Sequence, residues 1–227
     1  MTTAIIGVGK IGSAPARHLV GGGEQVVLAA RNESHAAGLA NDLGELASAA
    51  PVSEAIKAAD VVVIAVKPVP EAMEELIAEH TDLLHGKTVV DPSNQYNLGP
   101  NDEILRKLPE GQSSGAMVAA MLPARARYVK AFGTLGAPSL ESGANRAPRR
   151  AVLFYATDDQ AAAAAIERLI AAAGFDPVKA GGAKDVGRLE FPYGDLHQWG
   201  GLGGRLLDLE EARAAVATAA TSRPASA

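Results

Sequence analysis

The sequence predicts a doubly wound α/β fold on a mostly parallel sheet, with a smaller α/β extension at the C-terminal end. Three observations carry this expectation. Short apolar runs alternate with longer helical patterns, as in parallel strands joined by crossover helices. The runs read as strands buried on both faces. Three glycines, Gly7, Gly9 and Gly12, fall within six residues directly after the first run.

Taken in order, Ala4–Ile6, Val26–Ala29, Val61–Val66 and Thr88–Val90 read as strands. The third strand of such a fold has only Leu46–Ser48 to draw on. Tyr128–Phe132 and Ala151–Tyr155 are further strands. The stretch VLFYATDDQAAAAAIERLIAAAGFDPVKA reads as strand–helix–strand. Its helix is expected to open on a Thr157/Gln160 capping box and to end before Gly174. Gly200–Gly204 looks like a flexible connection, followed by a last helix over roughly Leu206–Ala217. Residues 1–145 are expected to form the main domain and 146–227 a smaller C-terminal portion, with a disordered tail from about 218.

Composition excludes several functions. The 227 residues carry a formal net charge of -5, against the concentrated Lys and Arg of a nucleic-acid surface. There is no cysteine, so disulfides, thiolate catalysis and cysteine-held iron–sulfur clusters are out. No apolar run approaches the roughly 20 residues that span a bilayer. The N-terminus has no charged segment ahead of its apolar run, so no secretory leader is expected. A cytoplasmic protein without membrane or nucleic-acid partners is the expectation.

The glycines supply the chemistry. Gly7-x-Gly9-x-x-Gly12 follows a strand and opens a helix, the context in which this pattern binds a dinucleotide. The first glycine permits the turn, the second lets a pyrophosphate reach the backbone, and the third brings helix and sheet together. Lys10 and Ile11, inside the motif, join the expected cofactor contacts. The helix start offers unpaired N–H groups to the phosphates. Pro15 fits poorly, because it lies beyond the first helical turn. At the tip of the second strand, VVLAARNES carries no acidic residue. A carboxylate there would bind the ribose hydroxyls of NAD; Arg31 can instead pair with a 2′-phosphate. NADP(H) is therefore expected over NAD(H), with Asn32 as an added donor. The alternative for Arg31 is an ordinary solvated side chain. The fourth strand ends VVVIAVKP, placing Ala65, Val66, Lys67 and Pro68 toward the ribose and nicotinamide. Lys67 is equally read as a surface charge. Asn94 stands at a crevice position after the fifth strand.

With these pieces in view the chain resembles the NADP oxidoreductases that include coenzyme F420-dependent NADP reductases. The resemblance runs through IIGVGKIGSA, AARN, VVIAVKP, VVDPSN, LPARARYVKAFGTLGA and FYATDD…AGFDPVKAGGAKDVGRLE. It implies a nicotinamide in a crevice at the strand ends, a deazaflavin ring stacked on it, and direct hydride transfer between two carbons. Such transfer needs orientation and exclusion of water, and no side-chain acid or base. Phe132, Gly133, Thr134 and Leu135 would stand beside the nicotinamide. His197 and Trp199 would border the second substrate, or else anchor the glycine-rich connection. The family commonly has Asn in Val-Lys-Ala-Phe-Asn-Thr where this chain has Gly133. That change removes an amide and opens space for a different substrate. Homodimers are common among the relatives.

The remaining signals carry no chemistry. Gly111-Gln112-Ser113-Ser114-Gly115 matches a hydrolase elbow but lacks the preceding buried strand, so Ser113 is expected to be a loop or cap serine. The five histidines show no metal-ligand spacing and read as surface or helix-end residues. Asp158 and Asp159 suit a helix start. No catalytic side chain and no metal are expected. Two other readings stay open. One is an NADPH-dependent imine or carbonyl reductase with Tyr193 or His197 as proton donor. The other is a non-catalytic NADP(H)-responsive binding protein.

Overall fold

The computed structural model describes residues 1–66, 70–94, 96–98, 104–106, 108 and 112–221. The N-terminal half alternates β1 (Thr2–Ile6), α1 (Lys10–Gly21), β2 (Gln25–Ala29), α2 (Glu33–Leu43), β3 (Ala47–Ala49), α3 (Val52–Ala58) and β4 (Val61–Ile64). It continues with α4 (Pro70–Glu79), α5 (Thr81–Leu84) and β5 (Thr88–Asp91). A two-stranded antiparallel ribbon, β6 (Tyr96–Leu98) and β7 (Ile104–Arg106), precedes α6 (Ser114–Met121) and β8 (Arg127–Lys130). Then come α7 (Ala137–Ser142), β9 (Val152–Ala156), α8 (Gln160–Ala172), β10 (Asp176–Gly181), a 3₁₀ segment Ala183–Leu189 and α9 (Leu209–Thr221).

Eight strands form one sheet in the order β10-β9-β8-β5-β4-β1-β2-β3. β1 pairs in parallel with both β2 and β4, so the chain reverses its direction of winding between β1 and β4. At that point the carboxyl ends of two neighbouring strands leave a crevice for a ligand. β8 continues the parallel set beside β5, while β9 meets β8 antiparallel through Lys130 and Ala156. The C-terminal strands thus extend the main sheet rather than start a second one.

The apolar runs predict this burial well. All four residues of β4 and all five of β9 are buried. One cluster packs Leu19, Leu28, Leu39, Ile166, Leu169 and Phe175 on one face. A second packs Ile6, Ile56, Ile64, Met73, Ile77 and Val89 on the other. A third, with Phe154, Val186, Leu189 and Leu196, seals the C-terminal portion.

Four local expectations are corrected. Asp159, not Thr157, caps α8: its carboxylate accepts from Ala162 N–H at 2.8 Å. Thr157 Oγ1 instead donates to the Tyr128 carbonyl at 2.7 Å, so no Thr/Gln box forms. α1 runs through Pro15 without interruption. Gly200–Gly204 is a hydrogen-bonded series of turns, with Gly201 N–H on the Gly194 carbonyl at 3.0 Å. The last helix starts at Leu209 and extends to Thr221, beyond the position where a disordered tail was expected to begin; residues 222–227 lie outside the described residues.

Candidate active site

The site begins at the β1–α1 turn. Gly7 has φ +102°, and a Cβ there would run into the Ala65 carbonyl; only glycine adopts this bend at little cost. A Cβ on Gly12 would overlap the Gly7 carbonyl, so the third glycine lets α1 close onto the turn. Gly9 is different: a Cβ placed there would meet nothing within 4 Å. Nothing in the protein needs that space, so the glycine keeps the backbone open toward solvent. Gly9 is the N-cap of α1 and supplies no side-chain cap, and the first turn contains no acidic residue. The N–H groups of that turn have no intrahelical acceptor. Together with the helix dipole they form an uncompensated positive end suited to a diphosphate.

Arg31 and Asn32 follow β2, both exposed. Asn32 caps α2 by accepting from Ser34 N–H at 3.2 Å and from Ser34 Oγ at 2.6 Å. Its carbonyl oxygen is therefore engaged within the chain, and Arg31 is the charged group left at this strand tip.

A crevice of about 370 Å³ runs from the start of α1 across the strand ends. Lys10, Ile11, Ala65, Val66 and Asn94 line it together with Leu135, His197 and Trp199, and Pro92, Ser93, Gly136, Ala137 and Phe191 complete the lining. The structure thus brings residues from both expected sets into one cavity. Lys67 and Pro68 lie outside the described residues. Phe132 and Thr134 do not reach the crevice. Both are buried behind its wall, with Phe132 at φ +62° in the main core cluster. The missed lining residues Pro92, Ser93 and Phe191 sit in loops without periodicity, so spacing alone gives no signal for them.

The floor of the crevice is a closed polar network. Asp91 and Lys130, cross-strand partners at the ends of β5 and β8, form a fully buried ion pair at 3.0 Å. Lys130 also donates to the Ser93 carbonyl, while Asp91 accepts from Ser93 N–H at 2.8 Å and from Tyr128 Oη at 2.9 Å. Burial, then the neighbouring Asp91 carboxylate, pushes the Tyr128 hydroxyl well above its usual range. It stays neutral as a donor.

No space opens at Gly133. A Cβ there would stand 2.9 Å from the Pro92 carbonyl carbon and 3.3 Å from Asn94 Nδ2. The position is filled by the preceding strand's loop. Asn94 Nδ2 donates to the Gly133 carbonyl at 2.8 Å, and its Oδ1 accepts from Phe191 N–H at 2.8 Å. Asn94 therefore lines the crevice with one N–H and one acceptor site of its carboxamide held within the chain.

His197 is 3 % exposed, and burial lowers its pKa to about 4. The nearby Lys130 charge acts in the same direction, against a hydrogen bond to the Gly133 backbone. Its Nδ1 accepts from Trp199 N–H at 3.1 Å, which places the proton of the neutral ring on Nε2. Trp199 is 60 % exposed at the crevice wall. Its indole lies over Gly136, where a Cβ would meet Nε1 at 2.6 Å, and over Gly204. His80 is a helix-end residue, as expected, and is buried at the N-cap position of α5. Ser113 caps α6, accepting from Ala116 N–H at 3.2 Å and donating to Glu190 at 2.8 Å; Gly111 of the hydrolase-like pattern is outside the described residues. Among the described residues no cluster could hold a metal ion, and no helix is long and apolar enough to cross a membrane.

Comparison with known proteins supports the fold and an NADP-type nucleotide. Residues 2–95 match the family model described as NADP oxidoreductase, coenzyme F420-dependent. That span covers β1 to β5 and the loop to Asn94. No curated protein matches the chain by sequence. A solved structure of the hypothetical protein SMa0349 from Sinorhizobium meliloti superposes with TM-score 0.76 at 26% identity, over 92% of this chain and 95% of that one. A proposed F420-dependent NADP reductase from Arthrobacter sp. FB24 superposes with TM-score 0.68 at 21% identity, over 80% and 85%. A reductive aminase from Aspergillus terreus, solved with NADPH and ethyl levulinate, gives TM-score 0.57 at 23% identity over 81% of this chain and 55% of its own. The chain thus spans little more than half of that aminase. The likeness to the NADP oxidoreductases of the coenzyme F420-dependent family thus runs through the glycine turn and the strands that follow it, over residues 2–95.

Proposed function

We propose that the chain transfers hydride directly between NADP(H) and a planar ring acceptor, with an F420-like deazaflavin as the first candidate. The observation that carries this reading is the single crevice that continues from the α1 N-terminus past Val66 to Trp199. Its size suits a small-molecule site, for which about 300–1,000 Å³ is usual. Gly7, Gly9, Lys10, Ile11 and Gly12 would bind the diphosphate, and Arg31 the 2′-phosphate. Ala65 and Val66 would flank the nicotinamide. When bound, the nicotinamide supplies or accepts the hydride. The protein's part is to hold two carbons in contact and keep water from between them. The exposed Trp199 indole, with Phe191 on the same wall, offers a flat apolar face for a ring.

Reduction of an imine or carbonyl is supported less well, because it needs a proton donor at the acceptor. His197 is neutral, with Nδ1 occupied by Trp199 and its other side turned to Gly133. Tyr193 lines a separate cavity with Glu190 and Pro192. Direct transfer to a ring carbon asks for neither group. Two measurements test the reading. Mixed with NADPH and F420, the protein should bleach the deazaflavin absorbance; no exchange removes F420 as acceptor. Arg31→Ala should weaken NADPH binding at least tenfold, for the loss of about 1.5–3 kcal/mol of charged hydrogen bonding. It should leave NADH binding nearly unchanged. Equal losses for both nucleotides would refute the role of Arg31.

A further inference from the structure

Three loops meet around the crevice: Pro92–Asn94 after β5, Ala131–Leu135 after β8, and Phe191–Trp199 from the C-terminal portion. In the function proposed above, the first would stand on the nicotinamide side and the third would carry the acceptor wall. A planar acceptor needs these two sides at a fixed separation. The first loop is braced from below by the buried Asp91–Lys130 pair. The second and third are joined by Gln198 N–H on the Thr134 carbonyl at 2.9 Å and Gly136 N–H on Gln198 Oε1 at 2.8 Å. One carboxamide of the braced loop reaches both others. Asn94 donates to Gly133 and accepts from the Phe191 N–H, and these bonds use its donor and acceptor ends separately.

We propose that Asn94 is a positioning residue, whose carboxamide fixes the Phe191–Trp199 wall at the spacing a ring acceptor needs over the nicotinamide. The proposal deepens the function proposed above and rests on it for the nature of the ligands. It differs from a direct cofactor contact in what it asks of the side chain: one N–H and one acceptor site, both used within the protein. Gly133 suits this arrangement: a Cβ there would collide with the Pro92 carbonyl of the same loop and stand 3.3 Å from Asn94 Nδ2. The two positions work as a pair. Removing the carboxamide takes away its bonds to the Phe191 N–H and the Gly133 carbonyl together, so the wall loses this tie to the first loop and keeps the Gln198 bonds to the second, while the diphosphate turn is untouched.

Trp199 is the only tryptophan in the chain, and it sits on that wall. Its fluorescence therefore reports wall position, while NADPH affinity reports the distant phosphate contacts. In Asn94→Ala without ligand, the acrylamide quenching constant of Trp199 should rise at least twofold. On NADPH addition, saturated energy transfer from Trp199 to the nicotinamide should fall to half or less of the wild-type value. The NADPH dissociation constant should stay within threefold. Asn94→Asp keeps the acceptor for Phe191 and loses the donor to Gly133, and should shift both signals in the same direction by a smaller amount. It serves as the test if the alanine variant does not fold. Wild-type values of both Trp199 signals in a folded variant would overturn the proposal. A tenfold or greater loss of NADPH affinity would also overturn it, by returning Asn94 to direct cofactor contact. The acrylamide measurement needs no nucleotide. If wild-type protein shows no energy transfer from Trp199 on NADPH addition, the proposed function fails, and the ligand-free quenching still decides whether Asn94 holds the wall.

Discussion

Replacing Gly9 by aspartate separates the protein's need for this residue from the ligand's. Gly9 has extended backbone angles, φ -72° and ψ -169°, and caps α1 without a side-chain bond. An aspartate is at ease in that conformation and is among the preferred N-cap residues. Its Cβ would enter open space. Its carboxylate would accept from first-turn N–H groups and meet the positive helix end, in a turn with no acidic residue of its own. Capping and dipole together should stabilise the fold by about 0.5–1 kcal/mol, raising the melting temperature by about 1–4 °C for a chain of this size. The same carboxylate would stand where the diphosphate is placed. Repulsion between unit charges about 4 Å apart is about 1 kcal/mol in water and about 4 kcal/mol near a protein surface. NADPH affinity should therefore fall at least tenfold. Differential scanning fluorimetry and NADPH titration of one preparation read both quantities. Gly12→Ala is the contrast: its Cβ overlaps the Gly7 carbonyl, so it should lower stability by about 1–3 kcal/mol. A Gly9→Asp protein that melts no lower than wild type and binds NADPH equally well would refute the diphosphate assignment.

Two further outcomes follow from the crevice wall. Gly133→Asn, which restores the residue common in the family, should destabilise the protein by at least about 1–3 kcal/mol, read as a lower denaturation midpoint, because its Cβ collides with the Pro92 carbonyl; unchanged stability would show that the loops yield. His197 resists its proton in the folded state, at about 4, but takes it near 6.5 when unfolded. Stability should therefore drop as pH falls from about 6.5 toward 4, by up to about 3 kcal/mol from this group. His197→Asn should lack that component in melting curves across the same window, and parallel curves for the two proteins would contradict the assignment.

Much of the fold was legible because burial on both faces of a parallel sheet leaves continuous apolar runs such as Val61–Ile64 and Val152–Ala156. The short β3 was also legible, because the fold requires a strand where only Leu46–Ser48 was available. The glycine turn was legible because each glycine answers a distinct steric demand: Gly7 and Gly12 collide with backbone if substituted, and Gly9 does not. The crevice wall was harder to read. Asn94 lines the crevice, as its position after the fifth strand predicts, but sequence does not give the partners its carboxamide finds in Gly133 and Phe191. Phe132 sits next to the right glycine yet turns into the core through a positive φ. Phe191 and Ser93 reach the site through loops contributed from distant parts of the chain, and no local pattern announces that meeting. The capping error at α8 has the same origin, since Thr157 is drawn to the Tyr128 carbonyl, a tertiary partner invisible to a local motif.

The most direct measurement is a crystal structure of the protein with NADP⁺. The diphosphate should lie within hydrogen-bonding distance of the N–H groups at Gly9–Gly12, the 2′-phosphate against the Arg31 guanidinium, and the nicotinamide between Val66 and the Trp199 wall. A nucleotide bound with its diphosphate away from the α1 N-terminus, or with the 2′-phosphate turned from Arg31, would contradict this placement.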